Sequence, residues 1–156
     1  MFDSTERENF GFQFSTLSRL WRRMLEQQLV LHGISDVSWV VLVHLLRGGD
    51  DCSQKELAAR VGMDASTLVR LVDALEQRGH LVRKPNMQDR RSRLLRLTDS
   101  GIEEAERLAK LLQKIEFEML AQVSDQELAQ ITEAMEKVRL SLKSLAAGRH
   151  GKEARS

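Results

Sequence analysis

Residues 64–98 constrain the fold of this 156-residue chain more than any other stretch. The stretch opens with small polar residues, followed by apolar residues at helical spacing. Two short apolar runs come next, residues 81–84 and 94–98, and the loop between them is dense in arginine. Such runs are typical of the two strands of a hairpin. The pattern therefore predicts a helix that can enter a groove and a basic hairpin beside it, as in winged helix-turn-helix proteins that hold duplex DNA.

The remaining pattern is helical, and it predicts a mainly α fold with a small β-hairpin wing. Ser53 and Glu56 are spaced as a capping box that opens a short helix, and Gly62 provides the turn before the next helix. A second capping box, at Ser124, opens the last helix. The predicted helices span residues 10–32, 35–46, 53–61, 64–78 and 99–123, with the last helix following residue 124.

Two apolar faces exceed what one chain needs for its own core, and we expect a second copy to cover them. Phe10, Phe12 and Phe14 cluster near the start of the first helix. The last helix carries apolar residues at alternating steps of three and four, which is the spacing of a coiled-coil seam. These residues are Leu128, Ile131, Met135, Val138, Leu142 and Leu145.

Composition excludes several classes of protein. No apolar run approaches the roughly 20 residues that span a bilayer, and the polar N-terminus is typical of neither a signal nor a transit peptide. The single cysteine, Cys52, fits a reducing compartment, so we expect a cytoplasmic protein without a membrane partner. The four histidines and one cysteine form no metal-ligand pattern, and no nucleophile–base pair is evident. We therefore predict neither an enzyme nor a cofactor, and no catalytic or metal site.

The net charge is only +1, but the charges are unevenly distributed. Residues 78–98 hold seven Lys or Arg and one acid, whereas residues 99–145 hold ten acids and six bases. A basic centre between acidic flanks favours one face for a polyanion such as nucleic acid.

Residues 89–101, DRRSRLLRLTDSG, resemble the wing signature of the MarR/SlyA regulators, an Asp-x-Arg followed by Leu-Thr-x-x-Gly. Residues 68–79 resemble that family's recognition helix, and helix order agrees from about residue 10 to 145. The resemblance implies a single MarR-like domain over residues 1–156. Within it, residues 10–33 and 99–145 would form the dimerisation region, residues 35–98 the winged helix-turn-helix, and residues 146–156 a disordered tail.

The resemblance and the spacing together predict the DNA contacts. Ser66, Thr67 and Arg70 would read the major groove, with Arg70 one turn beyond Ser66 and able to fork onto guanine. Arg91 would enter the minor groove, held there by a bidentate pair with Asp89. Phosphate contacts are expected at Lys84, Arg90 and Arg93. The alternative is that Thr67 only caps its helix, that Arg70 only meets phosphate and that Asp89 only caps its own loop.

The family also implies a pseudopalindromic operator, a homodimer and, for many members, a small-molecule effector. We expect a repressor released by a small aromatic or phenolic-acid-type effector. Candidate ligand contacts are Trp21, Trp39, His32, His44 and Asp73, although such tryptophans are more often core and such histidines more often locally satisfied. Two other functions remain open: an effector-independent architectural DNA-binding protein, and a thiol-based redox regulator acting through Cys52.

Overall fold

The structure is a computed structural model that describes the backbone of residues 4–49 and 51–153 and the side-chain burial of residues 7–49 and 51–147. Its first four helices are α1 (Ser4–Leu31), α2 (Trp39–Gly48), α3 (Gln54–Val61) and α4 (Ala65–Gln77). Strands β1 (Cys52–Ser53), β2 (Leu81–Pro85) and β3 (Arg93–Leu97) form the sheet, and α5 (Asp99–Met119) and α6 (Asp125–Glu153) complete the chain. Among the described residues, no helix is both long and apolar enough to cross a membrane.

The mainly α fold with a hairpin wing is confirmed, and the sheet has one more strand than the sequence predicted. The strand order is β1-β3-β2, with both pairs antiparallel. In the hairpin, Leu81 is opposite Leu97 and Pro85 is opposite Arg93. The two-residue β1 pairs with β3 at Leu95 and Leu94, which closes the sheet on the side of α3.

The first compact unit extends to Glu116. Most of its core consists of side chains from the winged helix-turn-helix. Helix α2 packs on α3, α3 packs on α4, and α4 packs on β2. Helix α2 is buried on most of its surface, as its nearly continuous apolar run predicts. The largest fully buried side chains are Leu29, Val41, Leu45, Leu57, Leu68, Val72, Leu75, Leu81 and Leu95. These side chains fix α4 against the sheet, so the sheet and α4 form one packed lobe.

The helix boundaries differ most from the predicted ones in α1, α2, α5 and α6; α5 ends at Met119 rather than at residue 123. Helix α2 begins at Trp39 rather than at residue 35, because the Asp36 carboxylate accepts from the Ser38 amide at 2.8 Å and holds residues 36–38 in a turn. Helix α1 begins at Ser4 rather than at residue 10. Helix α6 continues to Glu153, so most of the expected disordered tail is helical; residues 1–3 and 154–156 lie outside the described chain.

The second compact unit begins at Phe117 and consists mainly of α6. Both capping boxes are confirmed: the Ser53 hydroxyl accepts from the Glu56 amide at the start of α3, and Ser124 makes the same bond with Glu127 before α6. Of the predicted seam on α6, Leu128 is half-buried. The other five seam residues are 39–67% exposed in the single chain.

Candidate nucleic-acid interface

The first turn of α4 is fixed by Asp64, which caps the helix. Its carboxylate accepts from the Thr67 amide at 2.8 Å and from the Ser66 and Thr67 hydroxyls at 2.5 and 2.7 Å. The hydrogen bonds from Ser66, and then those from Thr67, hold the pKa of Asp64 far below its usual value. Both hydroxyl hydrogens are thus directed inward, which leaves the oxygen atoms of Ser66 and Thr67 as acceptors.

Helix α4 has one buried face and one exposed polar face. Leu68, Val72 and Leu75 are buried against the lobe. Ser66 and Arg70, four residues apart, are exposed on the other side. A helix with small residues at its exposed start can approach the floor of a groove, and Arg70 provides five hydrogen-bond donors one turn further along.

The wing loop, residues 86–92, is tied together by its own side chains. The Asn86 carboxamide oxygen accepts from the Gln88 amide at 2.9 Å, and its NH2 group donates to the Ser92 hydroxyl at 2.9 Å. The Ser92 amide donates to the Asp89 carbonyl oxygen at 3.0 Å. These bonds close both ends of the loop, so the exposed side chains of Arg90 and Arg91 project from a defined turn.

In the described chain without DNA, Asp89 forms no ion pair with the Arg91 guanidinium, so the predicted bidentate pair stays a prediction for the complex. Asp89 accepts instead from the backbone amide of Arg91, at 3.0 Å. In an Asx turn of this kind, the carboxylate accepts from the backbone amide two residues further along the chain. The long Arg91 side chain therefore need not fold back onto Asp89. Asp89 therefore shapes the loop, and the Arg91 guanidinium is left available for a ligand.

Arg83 joins the wing to α4 and α3. Its guanidinium forms ion pairs with Asp73 and Glu76 on α4, and its Nε donates to Gln54 on α3 at 3.0 Å. The Arg83 side chain is 19% exposed, so its stem is packed into the lobe. Asp73, a predicted ligand residue, is thus engaged in an ion pair with Arg83. The three contacts fix the base of the wing relative to the helix that precedes it.

The other cationic side chains of the wing divide into two groups. Arg96 pairs with Asp51 through its Nε at 3.1 Å and is a structural residue of the sheet. Lys84, Arg90, Arg91 and Arg93 are exposed. The structure therefore brings the predicted phosphate-contacting residues and Arg91 together on one basic hairpin.

A separate cavity of about 160 Å³ lies where the start of α2, the end of α4 and α5 meet. We call it the Trp39 cavity, because Trp39 is the one predicted ligand residue among those that line it. Its charged groups are Arg78, paired with Asp36 at 3.0 Å, and Arg107, paired with Glu104 at 2.7 Å; His80 also lines it. Sequence reasoning missed Arg78 and Arg107, because only the fold brings their helices together.

The remaining predicted ligand residues lie elsewhere. Trp21 is half-buried on α1, and the exposed His32 donates to the Gln28 carbonyl oxygen at 2.9 Å. His44 is half-buried in α2, where burial and then the charges of Arg60 and Arg47 lower its pKa. His44 is thus a neutral imidazole at pH 7, without a place in the Trp39 cavity.

Comparisons with known proteins show the family of the chain. The family model described as the MarR family matches residues 32–92. The chain is 30% identical to the transcriptional regulator PA3341; the match covers 86% of this chain and 98% of that one, with a TM-score of 0.76.

Two further solved structures are similar and carry partners of their own. One is CouR from Rhodococcus jostii RHA1 bound to p-coumaroyl-CoA: 25% identity, 83% of this chain and 90% of that one covered, and a TM-score of 0.68. The other is the S. aureus MepR–DNA complex, which shares the fold at 24% identity; 85% of this chain and 97% of that one are covered, with a TM-score of 0.64. The chain described here therefore belongs to the MarR family of winged-helix, DNA-binding transcriptional regulators, which are not enzymes.

Proposed function

We propose that this chain acts as a homodimeric repressor in the cytoplasm, binds a pseudopalindromic operator and is released from it by a small aromatic acid. The observation that carries the proposal is the basic wing that Arg83 fastens beside the exposed face of α4. A recognition helix and a wing held at a fixed separation can engage two adjacent grooves of one duplex at the same time.

In this arrangement α4 enters the major groove, which is about 12 Å wide, and Ser66, Thr67 and Arg70 meet base edges there. Arg91 enters the neighbouring minor groove, where narrow A·T-rich stretches concentrate negative potential. Lys84, Arg90 and Arg93 contact phosphates, which position the lobe without reading sequence. The exposed Arg70 and Arg91 side chains, and the Asx turn in which Asp89 accepts from the Arg91 amide, support this assignment.

Homodimer formation is supported by the apolar side chains that the single chain leaves exposed on α1 and on α6. On α1, the rings of Phe10 and Phe14 stack at 5.9 Å, and both are about half exposed. On α6, the exposed seam alternates in steps of three and four, which suits packing against another helix. Apolar surface of this extent is typical of an interface between chains.

The Trp39 cavity supports a small effector. Its volume of about 160 Å³ is below the roughly 300–1,000 Å³ of sites for drug-sized ligands, so it suits a single ring. Trp39 offers an aromatic surface, and Arg78 and Arg107 offer guanidinium groups for a carboxylate. Because Arg78 follows directly after α4, a ligand that recruits Arg78 from Asp36 would shift the recognition helix.

In vitro selection from random duplexes, followed by fluorescence anisotropy, tests the DNA half of the proposal. We expect enrichment of a two-fold symmetric sequence and at least about 10³-fold preference over unrelated DNA. Similar affinity for all sequences would instead identify an architectural protein. Arg70→Ala should relax the preference, whereas Lys110→Ala, a change on the remote α5, should not.

Titration of the protein–operator complex with benzoate, salicylate and hydroxycinnamates tests the effector half. Release that is saturable and lost in Arg78→Ala supports the proposed site, and a promoter-reporter assay distinguishes repression from activation. The redox alternative needs an accessible thiol, and Cys52 is 6% exposed on β1. Operator binding that peroxide abolishes in the wild type but not in Cys52→Ser would favour that alternative.

A further inference from the structure

A second concave surface lies between the first turn of α3 and the wing loop, and its α3 side has no role in the function proposed above. We call it the α3–wing groove; its volume is about 470 Å³. It is lined by Ser53, Gln54, Lys55, Glu56, Asn86, Asp89, Arg91, Ser92 and Arg93. The groove thus joins Lys55, a residue that sequence reasoning overlooked, to two of the predicted DNA-contacting arginines.

The charges of the groove favour an anionic occupant. Lys55, Arg91 and Arg93 are exposed, and the structure gives them no ion pair within the part of the chain that it describes. The two carboxylates of the groove are already satisfied: Glu56 accepts from the Ser53 amide at 2.7 Å and from its hydroxyl at 2.8 Å, and Asp89 accepts from the Arg91 amide. Counting three cations and two carboxylates, the groove has one excess positive charge, and its cations form no ion pair among the described residues.

The neutral donors of the groove are also oriented. The Gln54 carboxamide oxygen accepts from the Arg83 guanidinium at 3.0 Å, so its NH2 group remains as a donor. Arg83 thereby links the lining of this groove to Asp73 and Glu76 on α4. Arg83 thus fixes the position of the groove relative to the recognition helix α4.

Lys55 is exposed and makes no hydrogen bond or ion pair within the described part of the chain. It lies in the first turn of α3, where the helix dipole is positive and a cation is unfavourable. The favourable acid of that turn, Glu56, completes the capping box without Lys55. Because the helix dipole disfavours a cation here, we attribute the position of Lys55 to an anionic ligand outside the chain.

We propose that the α3–wing groove holds the sugar–phosphate strand that separates the major and minor grooves of the operator, with Lys55 contacting one phosphate. This inference rests on the proposed function: with α4 in one groove and the wing in the next, the strand dividing the two grooves passes between these elements. Arg93 contacts the same strand, and the stem of Arg91 follows it toward the minor groove. Lys55 contributes affinity and position but no sequence preference.

The first test is the salt dependence of operator binding by Lys55→Ala, Lys55→Arg and the control Lys110→Ala. Each phosphate contact contributes roughly 0.9 to the slope of log affinity against log salt. We expect Lys55→Ala to reduce that slope by about one unit per lobe and to weaken specific and non-specific binding alike. Lys55→Arg should restore the slope, and Lys110→Ala should leave it unchanged. A melting temperature of Lys55→Ala at or above that of the wild type shows that the lobe is intact.

The second test replaces single operator phosphates with neutral methylphosphonates. At one phosphate per half-site, the replacement should weaken operator binding by the wild type. It should not weaken operator binding by Lys55→Ala any further, since that variant has already lost the same contact. Additive losses at every position, or a wild-type slope in Lys55→Ala, would overturn the inference while leaving operator binding itself established. If the wild type binds no duplex at all, the proposed function fails first.

A third measurement separates DNA from a free anion. Inorganic phosphate and pyrophosphate are titrated into the protein without DNA and followed by NMR of the lysine ammonium groups. We expect only weak, unsaturated shifts at Lys55. Saturable binding that Lys55→Ala removes, together with a methylphosphonate scan without coupling, would assign the groove to a small phosphate-bearing ligand and refute the strand contact.

Discussion

Gly101 lies directly against His80: a Cβ atom on residue 101 would come within 1.8 Å of the His80 carbonyl oxygen. The Thr98 hydroxyl completes the junction, donating to the Gly79 carbonyl oxygen at 2.6 Å and accepting from the Gly101 amide at 3.0 Å. The Leu-Thr-x-x-Gly part of the family signature is thus the joint at which the last strand of the wing passes into α5 beside the end of α4.

Gly101→Ala should lower the free energy of unfolding by about 1–3 kcal/mol or more, because the new methyl group meets backbone rather than a movable side chain. Urea denaturation measures the change. Gly11→Ala is the matched control: nothing lies within 4 Å of a Cβ there, and an exposed helical alanine should stabilise by about 0.5–1 kcal/mol. Similar losses in both variants would refute the close approach.

Asp64→Asn should destabilise the lobe at pH 7, and the difference from the wild type should shrink in acid. Hydrogen bonds from Ser66 and Thr67 lower the folded pKa of Asp64, so its contribution is complete above the unfolded pKa of about 3.9. That contribution is lost as pH falls from about 4 toward the folded pKa. Thermal melts between pH 7 and pH 2 measure it, and a difference that is constant with pH would contradict the cap.

Arg83→Ala should reduce operator affinity more than it reduces stability. Its partners Asp73 and Glu76 are 49% and 40% exposed, so the ion pairs contribute only about 1 kcal/mol to folding. The loss of all three contacts, however, lets the wing move relative to α4. Arg83→Lys should restore little of the affinity, because one ammonium group cannot reproduce a forked guanidinium. Arg107→Ala, at an exposed pair on α5, provides the control in anisotropy titrations without effector.

Arg91→Ala should weaken operator binding by roughly 1–3 kcal/mol, the range of one specific contact. Asp89→Asn should leave affinity nearly unchanged, because an asparagine oxygen can still accept from the Arg91 amide and no guanidinium pair is lost. If the two variants lose equal affinity, Asp89 positions the Arg91 side chain in the complex after all. Paired titrations on one operator decide between these outcomes.

Leu142→Glu should convert the dimer to monomer at micromolar concentration and lower operator affinity, because it places a charge in the α6 seam. Leu140→Glu is the matched control: Leu140 is similarly exposed, at 54% against 61%, but lies off the seam. Multi-angle light scattering measures the mass of each variant. Equal behaviour of the two variants would show that the seam is not the interface.

Local patterns made most of the lobe predictable from sequence. The capping box at Ser53, the turn at Gly62 and the strand predicted from the apolar run at residues 94–98 each depend on neighbours within four positions, and the structure confirms them. Strand β1 escaped prediction because two residues carry no periodicity, and it exists only because β3 offers an edge to Cys52 and Ser53.

The sites were predictable where one element carries them and not where several meet. Ser66 and Arg70 share one helix face, so spacing alone placed them together. Lys55 and Arg91 line one groove from elements 36 positions apart in sequence, and Arg78 reaches Asp36 across 42 positions. Charge and residue type gave no sign of these pairings, since each depends on how the helices pack.

The Arg83 contacts have a consequence for redirecting this protein to other promoters. Because one guanidinium binds the hairpin to both α3 and α4, its contacts constrain the angle between the wing and α4. In the proposed mode of binding, α4 and the wing each contact one region of a half-site. A half-site with a different spacing between these two regions would require the Arg83 contacts to break. In the proposed mode of binding, promoters of the same geometry would be targeted by exchanging the side chains at Ser66, Arg70 and Arg91, while Arg83 would keep the spacing of the two contact regions constant in each lobe.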